Sequence, residues 1–209
     1  MASVNLDLIN AAAGRTGNDP ISILDTDSGP IAAVARTNYE DLLKSELSTT
    51  PWKRATKIES LNCIDADVSG DPPEPWTASY QMPTDILELR TVKVDGVPID
   101  YEVFSDKILC NASEDDDVVA HYIWRVAEAD LPPWFREGMI RRLEAIFLRA
   151  VGERYREAQA RDEAADEQFK LAKNRDAQSQ TPRDPTTSPT LEARGAARPI
   201  YDRFDRVTR

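Results

Sequence analysis

Apolar positions recur every three to four residues at both ends of the chain and every second residue in its middle third. Val4, Leu8, Ala11 and Ala12 predict a short amphipathic helix over residues 3–13, closed by Gly14 and Gly17. Ile21 and Ile23 begin a connector that ends in the turn-rich Asp25-Thr26-Asp27-Ser28. Ser28 is the expected N-cap of a second helix, with Pro30 in its first turn. Ile31, Val34, Ala35, Tyr39, Leu42, Leu43 and Leu47 form its apolar stripe, and Thr49-Thr50-Pro51 stops it. From Trp52 to about Glu128 the period falls to two. Thr56-Ile58-Ser60, Ile86–Val94, Ile99-Tyr101-Val103, Ile108–Cys110 and Val118–Trp124 read as strands, and Asp95-Gly96 as a tight hairpin turn. Asp71-Pro72-Pro73-Glu74-Pro75 is an irregular excursion, and Pro83 fixes the start of a strand. An antiparallel sheet of about four or five strands follows. Helical spacing returns after Leu131-Pro132-Pro133, with Phe135, Met139, Leu143, Ile146, Phe147 and Ala150 on one face. A turn is expected at Gly152–Tyr155, then a fourth helix over 156–178. Only Ala158, Ala165, Phe169, Leu171 and Ala172 are apolar in it, so it packs thinly.

The character changes after Gln178. Pro182, Pro185, Pro189 and Pro199 interrupt any period, and a segment of this composition is expected to order only against a partner. It is also a charge outlier. Six arginines against four acids leave it at +2, whereas the chain as a whole carries −11. Arg194, Arg198, Ile200, Tyr201, Phe204 and Arg206 supply the guanidinium and aromatic anchors that dominate interfaces, which makes them the candidate partner-binding residues. The resulting division is residues 1–51 and 130–179 as two halves of a helical bundle, 52–129 as a β-module, and 180–209 as a Pro/Arg-rich arm. The expected fold class is α+β: a small four-helix bundle with an antiparallel sheet module inserted between helices two and three, plus the extended C-terminal arm.

The chain is 209 residues long, enough for one real core. No run approaches the roughly 18 apolar residues of a membrane span, and the first residues lack the pattern of a signal peptide. A soluble protein made in a cytoplasm is expected, with no membrane partner. Its acidity disfavours a free-standing nucleic-acid binder and suits a surface that repels DNA.

Several patterns invite chemistry and are better explained without it. Gly14-Arg15-Thr16-Gly17 lacks the spacing of a phosphate-cradling loop. His121 is the only histidine and lies in a strand-like run, where a structural role is favoured over catalysis. Ser113-Glu114-Asp115-Asp116-Asp117 lacks the alternation and glycine of a calcium loop and reads as a solvated hairpin tip. Trp52, Trp76, Trp124 and Trp134 lack interleaved basic residues and read as packing anchors, not base-stacking platforms. Cys63 and Cys110 read as small hydrophobes rather than a disulfide. No catalytic constellation, cofactor motif or metal motif is expected.

Certain residues in a certain order add a resemblance. Ile9-Asn10-Ala11-Ala12 precedes a glycine turn and Ile21; Ser28, Ala32, Tyr39 and Leu43 follow, then Pro51-Trp52. Trp76, Tyr80-Gln81-Met82-Pro83-Thr84-Asp85-Ile86-Leu87, Leu131-Pro132-Pro133-Trp134-Phe135 and an Ala/Gln-rich last helix complete the set over residues 5–178. In this order and spacing the chain resembles the phage head–tail adaptor (connector) family, also called tail tubular protein A. The resemblance implies a structural virion protein in a ring of twelve between portal and tail, its C-terminal arms reaching onto the portal. Its partners would be the portal protein, a downstream tail or nozzle protein, and neighbouring copies of itself. DNA would pass through the lumen without sequence-specific binding. The implied location is the portal–tail junction of the virion, and gene transfer agents carry similar adaptors. Another virion joining protein (a stopper or tail-completion subunit) is the nearest alternative. A small cytoplasmic ligand-binding protein or enzyme is the rival from a different class.

Overall fold

A computed structural model describes residues 6–64, 72–113 and 116–179. The chain divides into two units, Met1–Asp176 and Ala177–Arg209. The architecture below is that of the first unit; in the second, only 177–179 are described.

Helix α1 (Leu6–Thr16) buries Leu8 and Ala12 of the predicted stripe together with Ile9 and Ala13, while Ala11 is only half-buried and Val4 lies outside the described residues. The helix runs through Gly14 and ends at Gly17, whose φ of +80° lets the Asn18 amide donate to Ala13 O (2.9 Å) and its own to Gly14 O (3.3 Å). Asn10 then fixes the connector: its side chain donates to Ile21 O at 2.9 Å and accepts from the Ile21 amide at 2.8 Å. Helix α2 (Pro30–Ser48) begins at Gly29, not at Ser28 as the sequence suggests. Asp27 Oδ1 accepts from the Gly29 amide at 2.8 Å, and a proline in the first helical turn removes one of the donors a cap would serve. At the far end Arg90 donates to Ser48 O at 2.9 Å, placing a cation where α2 exposes its last carbonyls.

Among the described residues the middle third contains eight strands, not one sheet of four or five: β1 (Thr56–Ser60), β2 (Cys63–Ile64), β3 (Ala78–Gln81), β4 (Ile86–Val94), β5 (Val97–Ile99), β6 (Tyr101–Phe104), β7 (Lys107–Cys110) and β8 (Val118–Trp124). They form two antiparallel sheets, ordered β1-β8-β4-β5 and β2-β3-β7-β6. The chain passes straight from β1 to β2 and from β5 to β6, so each of these two runs belongs to both sheets. The neighbours β8, β1/β2, β3, β7, β6/β5 and β4 therefore follow one another around a closed circuit. Tyr80, Val92, Ile108, Cys110 and Val118 fill its interior. Asp95 (φ +51°) and Gly96 (φ +80°) form the tight turn the sequence predicts. A second turn after Phe104, with Ser105 at φ +56°, carried no such signal.

Helices α3 (Pro133–Ala150) and α4 (Tyr155–Gln178) follow. The fold is thus two antiparallel sheets in the middle with helices at both ends, and not a four-helix bundle with an inserted sheet. The physical reason lies in the two halves of this expectation. A strand that turns a corner between sheets counts twice, and α4 lacks the continuous apolar stripe of a full bundle member. The helical core joins α1, α2 and α3 around Leu43, Leu47, Phe135, Met139, Leu143 and Phe147, takes in Phe169 and Ala172 of α4, and extends onto the sheet at Ile123. Trp52 sits inside it, edge-on to Phe135 with ring centroids 5.1 Å apart. That placement agrees with the expected packing role of Trp52.

Candidate functional site

Four side chains converge where β1, β4 and β8 meet. Tyr122 is buried, and its hydroxyl reaches out to lie 2.6 Å from Glu59 Oε2 and 2.9 Å from Asp85 Oδ1. Lys57 bridges the same two carboxylates at 2.9 and 3.1 Å and lies over the Tyr122 and Trp124 rings, 5.6 and 5.9 Å from their centroids. Alternation places them together: Lys57 is opposite Tyr122 in the β1–β8 ladder. Hydrogen bonds from Tyr122 and Lys57 hold the Glu59 carboxyl below the usual range. Asp85 also lies low, because Lys57 and Tyr122 outweigh the cost of its partial burial. Burial, then the Glu59 hydrogen bond, pushes the Tyr122 phenol up. Lys57 is pushed up by its hydrogen bonds to Glu59, Tyr122 and Asp85. These shifts favour ionised carboxylates, a protonated Lys57 and a neutral Tyr122 phenol, and the hydrogen bonds among them tie β1 and β8 to the residue that precedes β4.

A second cluster ties the helices to the sheets. Arg125, just beyond β8, forks onto Glu128 (2.6 and 3.0 Å) and Glu40 (3.1 and 3.0 Å), and Tyr39 donates to Glu128 Oε1 at 3.3 Å. Glu128 is only 4% exposed. Burial and the Glu128 charge raise the Tyr39 phenol, and the Arg125 hydrogen bond lowers Glu40. Lys44 adds a further ion pair to Glu40 at 3.7 Å.

The strands also expose several large apolar side chains. Ile58 on β1, Val97 on β5, and Val103 and Phe104 on β6 are all exposed, Phe104 by 60% and Val97 by 63%. All four lie on the two runs that belong to both sheets. Glu102, just before Val103, accepts from Trp76 Nε1 at 2.9 Å, which holds an indole beside Val103 and Phe104. Sequence reasoning took Ile58 and Val103 as strand positions, left Val97 and Phe104 outside its strands, and missed the exposure of all four. The available signal was Phe104: period two sets it on the face of Glu102, where a solvated strand would carry a polar residue.

The candidate partner-binding residues Arg194, Arg198, Ile200, Tyr201, Phe204 and Arg206 lie outside the described residues. Gly14–Gly17 stands at the C-terminal end of α1, where carbonyls rather than amides face outward. His121 occupies β8 opposite Ile58 and Thr91, and burial together with the Lys93 charge pulls its pKa below the ordinary 6.5. The acidic stretch is not a hairpin tip. It connects β7 to β8, which belong to different sheets, and Asp116 turns back to accept from the Ser113 amide at 2.7 Å. Glu114 and Asp115 lie outside the described residues. Burial raises the Cys110 thiol to about 11, so it stays protonated among its apolar neighbours. Among the described residues no group of three or more His, Cys, Asp or Glu could hold a metal ion. None of the described helices is long and apolar enough to cross a membrane. Comparison of the sequence with protein-family models and with curated proteins finds no match.

Proposed function

We propose that this chain is a structural ring subunit, a head–tail adaptor that joins a phage portal to its tail and carries no catalytic step. One observation supports the reading most: helices, β-module and helices follow in the order of the resemblance, and the β-module has a core of its own beside the helical one. A subunit built this way offers two chemically different lobes. A ring needs such unlike faces, because each contact joins one face of a subunit to another face of its neighbour. The exposed Val97, Val103 and Phe104 give one lobe an apolar strip suited to burial in an assembly. The net charge of −11 lets DNA pass a lumen without adhering. In this proposal the arm, residues 181–209, binds the portal through Arg194, Arg198, Ile200, Tyr201, Phe204 and Arg206. A downstream tail or nozzle protein would take the opposite side of the ring, placing the protein at the portal–tail junction of a virion.

The test mixes the purified protein with the portal encoded beside it, sediments the mixture and images the heavy fraction. A ring at one end of the portal is expected, and it should be lost when 181–209 are deleted. A deletion that still joins the portal would remove the arm from the mechanism. No co-sedimentation of the full chain would overturn the adaptor reading itself.

A further inference from the structure

Helix α4 is held to the body in an unusual way. Its inward face repeats every seven residues: Ala158, Ala165 and Ala172 form one row, and Asp162, Phe169 and Asp176 form another, four positions later. That is the layout of a coiled-coil seam, in which the second row would ordinarily be apolar. Here two of its three positions are aspartates, and a single aromatic supplies the large apolar contact. Phe169 lies against Phe135 with centroids 5.5 Å apart, over the bare backbone of Gly138.

Charge supplies much of the rest. Arg142 on α3 reaches three carboxylates at once: Glu46 of α2 at 3.1 Å, and Asp162 and Asp166 of α4 at 3.3 and 2.7 Å. Arg149 joins Asp162 as well, and Arg161 reaches back to the buried Glu144 at 3.2 Å. Three of these partners keep substantial exposure: Asp166 is 57%, Arg161 52% and Arg149 45% exposed. Ion pairs in that setting respond to dissolved salt, whereas the apolar cores of the sheets and of α1–α3 do not weaken with it. The connection to α3 is a four-residue turn, Val151–Arg154, with Glu153 at φ +49°.

From this we infer that α4 is a charge-latched strap: it lifts from α3 as one unit when its ion pairs are screened or replaced, while α1–α3 and the sheets stay folded, and Arg142 is the clasp. Lifting uncovers the Gly138 notch and the edge of the Trp52–Phe135 pair. The inference stands apart from the adaptor reading and survives its failure.

Hydrogen exchange of the full chain, followed peptide by peptide in low and then high sodium chloride, tests it. The strap predicts that amides across 155–176 open together, at a rate that rises with salt, while those of α3, β4 and β8 do not change. Arg142→Gln should raise the α4 exchange rates roughly tenfold at low salt and flatten their salt dependence. Should that variant fail to fold, Asp166→Asn removes a largely exposed partner and should raise them about twofold to threefold. Exchange graded inward from the end of α4 would mean fraying and overturn the inference. So would α4 amides that open only together with α3, or that ignore salt.

Discussion

Adding one methyl group at Gly138 would test how closely α3 and α4 approach. A Cβ built at that position lies 2.9 Å from both Cε1 and Cζ of Phe169, well inside contact distance. Two effects oppose each other. In a helix interior Ala is favoured over Gly by about 1 kcal/mol. Overpacking a well-filled site costs roughly 1–3 kcal/mol, and here the obstacle is a ring itself wedged against Phe135 and Trp52. Gly138→Ala should therefore leave stability unchanged or lower it by up to about 2 kcal/mol. The sharper expectation concerns context. With Phe169→Ala the obstacle is gone, and the same methyl should then stabilise by about 1 kcal/mol relative to that single variant. A double-mutant cycle from urea unfolding curves, read as midpoints at constant slope, gives the coupling directly. A Gly138→Ala effect identical with and without Phe169 would refute the reasoning, because the clash assigned to this ring would not exist.

Two further outcomes follow from the charges. The Arg15 hydrogen bond and charge hold the Glu137 carboxyl below its ordinary 4.5, so this pair contributes stability that is present above that value and lost as the pH falls through the lower, folded one. Unfolding midpoints between pH 6 and pH 3 should thus fall less steeply for Glu137→Gln, and an unchanged slope would remove the pair from the acid response. His121, as the only histidine, gives one imidazole titration by NMR; its midpoint should lie below 6.5 and move back up in Lys93→Ala, and failure to move would discount the Lys93 charge.

How much of this was legible depends on the kind of signal each residue carries. The stripes of α1, α2 and α3 repeat at a strict helical spacing, and their buried faces include Leu8, Leu43 and Phe135 as read. Asp95-Gly96 announced its turn because few residue pairs tolerate two positive φ values. The two-sheet arrangement was not legible. Nothing in Ile99-Asp100-Tyr101 marks where a strand leaves one sheet for another, since period two continues across the corner. Ser105 takes a positive φ without the glycine that would have signalled a turn. In α4 the alanines at 158, 165 and 172 look like weak core, and only the facing Arg142 reveals that the aspartates between them are contacts. The clamp at Tyr122 was invisible for a related reason: Lys57, Asp85 and Tyr122 are far apart in sequence and become neighbours only through the β1–β8 and β4–β8 ladders.

The circuit of strands also sets a timetable for synthesis. Thr56 pairs with Ile123, and α1 and α2 cover their apolar faces largely with α3, which begins at Pro133. A ribosome adds residues at about 5–20 per second, so Leu8, Ile9 and Leu43 would wait on the order of ten seconds for their final neighbours. The sheet β2-β3-β7-β6 is complete in sequence at Cys110, but β1-β8-β4-β5, and with it the circuit, closes only once β8 has been made. The helical core therefore closes late, and the apolar faces of α1 and α2 stay uncovered by α3 until the last third of the chain has been made.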